Sequence, residues 1–161
     1  MRLPAPCYRS TIWFASFAIW FVVLWFLSSG PLPSPPGPEL PHIDKVLHFG
    51  FFFGGAGLLS AALYLRAKCT PNWPALIVTV TLVLAAVGML DEWHQSWIPE
   101  RSGNDGGDWL ADAYGALAGA LVFRRLHRFL GSPKAPAGAA SPASPTPPQA
   151  CERIHKGRLS P

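Results

Sequence analysis

The chain has 161 residues, half of them apolar and only 14% charged, whereas a soluble domain of this size carries about a quarter charged residues. That deficit excludes an ordinary soluble enzyme, and the length allows one domain or two at most. A net charge of +4 gives no pointer to nucleic acid, because the basic residues are spread along the chain and form no patch interleaved with aromatics.

Residues 11–27 carry no charge, and extended to position 30 they make about 20 residues, enough to cross about 30 Å of hydrocarbon as a helix. Arg2 and Arg9 ahead of this run would suit a secretory signal. The run is longer than a signal core, however, and SSGPLP is a poor cleavage site, so it is read as a first transmembrane helix over 11–30 behind a short cytoplasmic N-terminus at 1–10. Residues 31–41 hold six prolines and are expected to be an extended, water-exposed connection.

A second helix is expected over 46–65, interrupted by one ionisable group, His48, and closed by Arg66 and Lys68. The third, over 75–98, follows Pro74, which suits a first helical turn. It is uncharged as far as Leu90 and continues through Asp91, Glu92, His94 and Gln95 until Pro99. The fourth, over 109–126, is the most polar, with Asp112, Arg124 and Arg125. From 131 onward the Pro/Ala/Ser-rich tail lacks large apolar residues to bury and is expected to be disordered, its final basic residues solvated. The fold class that follows is all-α, a polytopic membrane protein built as a four-helix transmembrane bundle over 11–130. Cys7, Cys69 and Cys151 match neither a disulfide framework nor a metal motif.

With Arg124 and Arg125 at the end of the fourth helix counted with the C-terminal segment, Lys and Arg alternate 2, 1, 2, 1 and 7 along the five segments that flank the four apolar runs. Since positive residues favour the cytoplasmic side, both termini are expected inside and the loops around Asp44 and Arg101 outside. The same outer end collects the polar residues. Asp44 and His48, Asp91 and Gln95, and Asp108 and Asp112 are each i and i+4 pairs, so each pair projects from one helix face. Ionisable groups at this depth are costly and turn toward the bundle interior or a water-filled cavity.

The loop between the third and fourth helices supplies Ser102, Asn104, Asp105, three glycines and one cation, Arg101. Arg101 is suited to grip a phosphate or carboxylate bidentately; the plainer role is an ion pair with Asp105, Asp108 or Asp112. Gly50 with Gly54, and Gly115 with Gly119, have the spacing that lets the second and fourth helices approach closely. Trp93, Trp97 and Trp109 are read as interfacial belt residues, with an aromatic lining for a headgroup as the sharper alternative. His48, His94, Asp91, Glu92 and Asp112 are all possible metal ligands on one side. The spacing fits no dedicated ligand motif, since Glu92 and His94 are i and i+2 and face different ways, so no metal and no cofactor are expected.

The blocks DKVLHF (44–49), DEWHQSWIPERS (91–102) and DWLADAYGALAGAL (108–121), in this order, resemble the VanZ-like family of small bacterial integral membrane proteins. The resemblance covers about 46–122 well and the first helix by position only. It implicates Asp44, Lys45, His48, Glu92, Gln95, Arg101, Asp108, Gly115 and Gly119. Glu100 stands where the family has glycine, and Asp112 where it has asparagine. The resemblance implies a place in the cell envelope and an association with resistance to the glycopeptide antibiotic teicoplanin, and implies no reaction.

The leading expectation is therefore an outer-face site that binds a lipid-linked or anionic headgroup, with Lys45, His48, Glu92, Gln95, Arg101 and Asp108 as ligand-binding residues and membrane lipids or lipid-linked envelope intermediates as partners. The alternatives are an enzyme acting on an envelope lipid or cell-wall precursor, with catalytic candidates His48, Asp44 and Asp112; a proton or ion pathway through His48 and Asp112; and a helical bundle whose polar residues only satisfy one another.

Overall fold

A computed structural model describes residues 8–30, 42–67, 71–99, 101 and 103–130. Glu100, Ser102, the proline-rich connection, the three cysteines and the tail from 131 lie outside the described residues. The described chain is all-helical, with α1 at Ser10–Ser28, α2 at Ile43–Arg66, α3 at Trp73–Gln95 and α4 at Gly106–Leu126, followed by a short 3-10 turn at His127–Leu130. Three of these, α1, α2 and α3, are long and apolar enough to cross a membrane. The fourth, at 21 residues, has similar reach, about 31 Å at 1.5 Å per residue. Its carboxylates and arginines make it more polar, and it packs mainly along α2 and α3.

The helix ends differ from expectation in ways that matter for the polar residues. α2 starts three residues earlier than expected, at Ile43, which puts Asp44 and Lys45 inside its first turn. α4 likewise starts at Gly106, because Asp105 caps it: its carboxylate accepts from the Gly107 N–H at 2.7 Å, satisfying one of the free amides at a helix start. α3 stops at Gln95, three residues short of 98. There the Trp97 N–H bonds to His94 and the Ile98 N–H to Gln95, the i to i+3 pattern that closes a last turn. Pro99 disfavours a helical Ile98.

The core lies among α2, α3 and α4, where Phe52, Ala56, Val80, Leu84, Ala116 and Ala120 are fully buried. Between membrane helices the apolar surroundings supply no hydrophobic drive, so close backbone approach has to do the packing. Gly115 and Gly119 provide it: a Cβ on either would run into the backbone carbonyls of Phe49 and Phe53 on α2. Gly50 and Gly54 do not take part, since the space beside each is open. One glycine pair is at the interface, against the two expected. α1 is peripheral. Trp20 holds it by donating its indole N–H to the Phe51 carbonyl at 3.1 Å and stacking on Phe51, while Ile19, Phe26 and Leu27 stay largely exposed.

Candidate functional site

The chain runs up and down, so the starts of α2 and α4 meet the ends of α1 and α3 at one end of the bundle. Helix starts carry partial positive charge and favour acids; helix ends favour cations. The residues are arranged accordingly. Asp44 and Asp108 sit in the first turns of α2 and α4, and Arg101 lies against the end of α1, with its Nε donating to the Gly30 carbonyl at 2.8 Å and its Nη2 to the Leu27 carbonyl at 2.7 Å. A third, longer contact joins Nη1 to Gln95 Oε1 at 3.4 Å.

Lys45, not Arg101, is the cation that gathers the acids. Its Nζ lies 2.9 Å from Asp108 Oδ1, 3.0 Å from Asp105 Oδ2 and 3.4 Å from Asp44 Oδ2, so it ties the start of α2 to the start of α4. Beside Lys45, with a backbone bond from Gly107 adding to the effect, the Asp105 carboxyl is held below the usual carboxylate range. One turn deeper, His48 Nδ1 lies 2.9 Å from Asp112 Oδ1. Asp112 is fully buried and fits because α3 has glycine opposite: a Cβ on Gly88 would meet Asp112 Oδ2 at 2.6 Å.

The end of α3 supplies the remaining groups. Gln95 Nε2 donates to Asp91 Oδ2 at 2.7 Å, the i and i+4 pairing that the spacing predicts. Glu92 folds the following loop down, its Oε2 accepting from the Asp105 N–H at 2.7 Å and its backbone carbonyl from the Asn104 N–H. Asn104 takes a left-handed conformation, φ 66°, one that asparagine tolerates better than most residues. Glu92 Oε1 and Asp112 Oδ2 are buried without a hydrogen-bond partner among the described residues.

A cavity of about 620 Å³ opens beside this cluster between α1, α2 and α3. Asp44, His48, Asp91, Gln95, Arg101 and Asp108 form its polar end, and Leu24, Leu27, Val46, Leu47, Gly50, Phe51 and Phe52 its apolar walls. The volume lies within the range of small-molecule sites.

Eight of the residues singled out in the sequence therefore meet at one end: Asp44, Lys45, His48, Asp91, Glu92, Gln95, Asp108 and Asp112. Two of the three i and i+4 pairs are not bonded to each other. Asp44 turns to Lys45 while His48 turns to Asp112, and Asp108 turns to Lys45. The carboxylate that orients His48 is thus Asp112 and not Asp44. Arg101 makes none of the three ion pairs expected of it, because its donors are drawn to the carbonyls that end α1. His94 leaves the cluster and stacks on Trp25, ring centroids 3.9 Å apart. The Trp109 indole N–H bonds to the Ala85 carbonyl at 2.9 Å and pins α4 to α3; Trp93 and Trp97 are exposed and pack edge to face. Gly88 gave no signal in sequence, and Asp105 as a partner of Lys45 was visible only as an acid ahead of a helix start.

No protein-family model matches the chain, and no curated protein and no solved structure matches it.

Proposed function

We propose that the chain is an integral membrane protein whose cavity between α1, α2 and α3 takes the headgroup end of a membrane amphiphile. One observation carries this: the cavity has carboxylates, His48, Gln95 and Arg101 at or within one turn of the helix ends, and walls along α1 and α2 that are apolar apart from Ser28. A headgroup at the polar end with its chain along Leu24, Leu27, Leu47 and Phe51 would match both surfaces. The lysine and arginine distribution supports an orientation with both termini cytoplasmic and the polar end outside. The resemblance to VanZ-like proteins supports the bacterial cytoplasmic membrane as the location and a lipid-linked envelope intermediate as the amphiphile, with an effect on glycopeptide susceptibility as the cellular consequence.

A second reading, an enzyme acting on that amphiphile, is favoured by one feature, the His48 ring oriented by a buried carboxylate, as a general acid or base requires. Unaltered turnover of an identified lipid by His48→Ala would dispose of it.

The binding reading is tested by filling the cavity. Gly50 lines it and a Cβ there meets no neighbour, so the Gly50→Trp side chain starts in open space and its ring is expected to enter the cavity. Native mass spectrometry of the full chain in mild detergent is expected to show a defined amphiphile on the wild type and its loss from Gly50→Trp. The same lipid profile in both proteins would overturn the reading.

A further inference from the structure

The polar end holds two acidic groupings, and only one has its cation. Asp44, Asp105 and Asp108 bring carboxylate oxygens within 4.8 Å of one another, and the Lys45 ammonium sits on all three. His48, Glu92 and Asp108 form the other, again with ligand atoms within 4.8 Å, and no lysine or arginine among the described residues reaches Glu92 or His48.

We propose that His48, Glu92 and Asp108 hold a divalent cation at the polar end of the cavity, with coordination positions left open toward it. Three independent features point the same way. First, Glu92 has an unused valence and lies beside the other two groups. Glu92 is 4% exposed; its Oε2 is used by the Asp105 N–H, and its Oε1 is buried with no partner among the described residues. Asp108 contacts Lys45 through Oδ1. A buried carboxylate oxygen without a donor costs several kcal/mol as a rule and calls for a counter-ion.

Second, His48 has the arrangement of a metal-bound imidazole. When Asp112 is a carboxylate it only accepts, so Nδ1 carries a proton, and in the neutral ring Nε2 then presents its lone pair. A histidine ligand whose other nitrogen donates to a carboxylate is the usual outer-shell pattern of metal sites. Third, six carboxylates converge at this end, from Asp44, Asp91, Glu92, Asp105, Asp108 and Asp112, against Lys45 and an Arg101 already engaged with α1. A dication offsets that surplus.

Three ligand atoms each about 2.1 Å from one ion stand about 3.0–3.6 Å from one another, so groups now within 4.8 Å need to close by no more than about 1–2 Å. One imidazole and two carboxylates suit Mn2+ or Zn2+ better than softer ions. Three protein ligands with the remaining positions open is the form taken by cations that act on a ligand, as opposed to closed structural sites. His48 and Asp108 both line the cavity, so those positions point to where the headgroup would lie. The cation site itself stands on its own geometry; its service as a bridge to a phosphate rests on the reading under Proposed function. Spacing within α3 alone hid this site, because its ligands come from three helices.

The test uses Mn2+ alone, with no lipid added, on the full chain in detergent after EDTA treatment and removal of the chelator. Electron paramagnetic resonance of free Mn2+ during titration is expected to show one ion taken up per chain and displaced by Zn2+. Glu92→Gln and His48→Ala are expected to weaken uptake at least tenfold, and Asp112→Asn by about 10–100-fold, while His94→Ala binds as wild type. Failure of the folded wild type to take up stoichiometric Mn2+ or Zn2+ overturns the proposal without any variant being needed. So does equal uptake by well-folded Glu92→Gln and wild type, which would mark adventitious binding to the outer aspartates. Because the readout is metal uptake and no lipid is added, either failure leaves the cavity-filling test untouched.

Discussion

His48 on α2 and Asp112 on α4 are joined across the bundle at 2.9 Å, and Asp112 is the only ionisable residue among the described ones that is fully buried. The bond links a ring that borders the cavity to a carboxylate behind it, and Gly88 on α3 provides the space. Asp112→Asn keeps an acceptor for His48 Nδ1–H and removes a buried charge, so its thermal stability in detergent should stay within about 1 kcal/mol of wild type. Asp112→Ala strands the ring N–H and should cost about 1–3 kcal/mol. Equal stability of the two variants would show that the bond contributes nothing.

Helix packing makes a separate prediction. Gly119→Leu drives side-chain atoms into the Phe53 carbonyl and should destabilise the bundle by about 1–3 kcal/mol, the usual cost of overpacking. Gly54→Ala, with open space beside it, should be neutral within about 0.5 kcal/mol. Unfolding in a denaturing detergent series would separate the two.

Arg101 fastens the peripheral helix. Loss of its two short bonds to the Leu27 and Gly30 carbonyls, each a charge-assisted bond of about 1.5–3 kcal/mol, should raise local opening of α1 at least about tenfold. In Arg101→Ala, hydrogen exchange at 24–30 should accelerate while α2 to α4 stay protected. Arg101→Lys, with one compact donor group, should fall between. Unchanged exchange would show that Trp20 alone holds α1.

The pairing of Lys45 with Asp105 fixes a pH dependence. A carboxyl whose folded value is depressed contributes stability that is fully present above its unfolded value, about 3.9, and lost only as pH falls through the lower folded value. Thermal stability of wild type should therefore keep this contribution down to about pH 4 and lose it below. Asp105→Asn should lack that acid-labile component. Because the Asp105 side chain is 37% exposed, the difference should shrink in high salt.

How much of this was legible in the sequence depends on the kind of information each feature needs. The number of helices followed from uncharged runs such as 11–27, and the convergence of Asp44, His48, Asp91, Gln95, Asp108 and Asp112 from i and i+4 spacing combined with alternating chain direction. What spacing could not supply was the choice of partner. Asp44 and His48 share a face, yet they are not bonded to each other: Asp44 pairs with its neighbour Lys45, and His48 pairs across the bundle with Asp112 on α4, because interhelical contacts decide where a buried charge is satisfied. Arg101 was read by its chemistry alone, and the carbonyls that end α1 compete for the same donors. The pairs Gly50 with Gly54 and Gly115 with Gly119 have the same motif spacing, and only helix rotation, which spacing leaves open, separates the pair beside open space from the packed one.

In the proposed complex the amphiphile has its head at the polar end and its chain between α1 and α2. This placement is tested by photo-crosslinking of the wild type in bilayers with a phospholipid carrying a diazirine in the upper part of one acyl chain, followed by peptide mapping. Labelling should concentrate on Leu24, Leu27, Val46, Leu47 and Phe51 and be suppressed by Gly50→Trp. Labelling spread over the outward faces, at Ile19, Phe26, Leu82 and Met89, with no effect of Gly50→Trp, would contradict it.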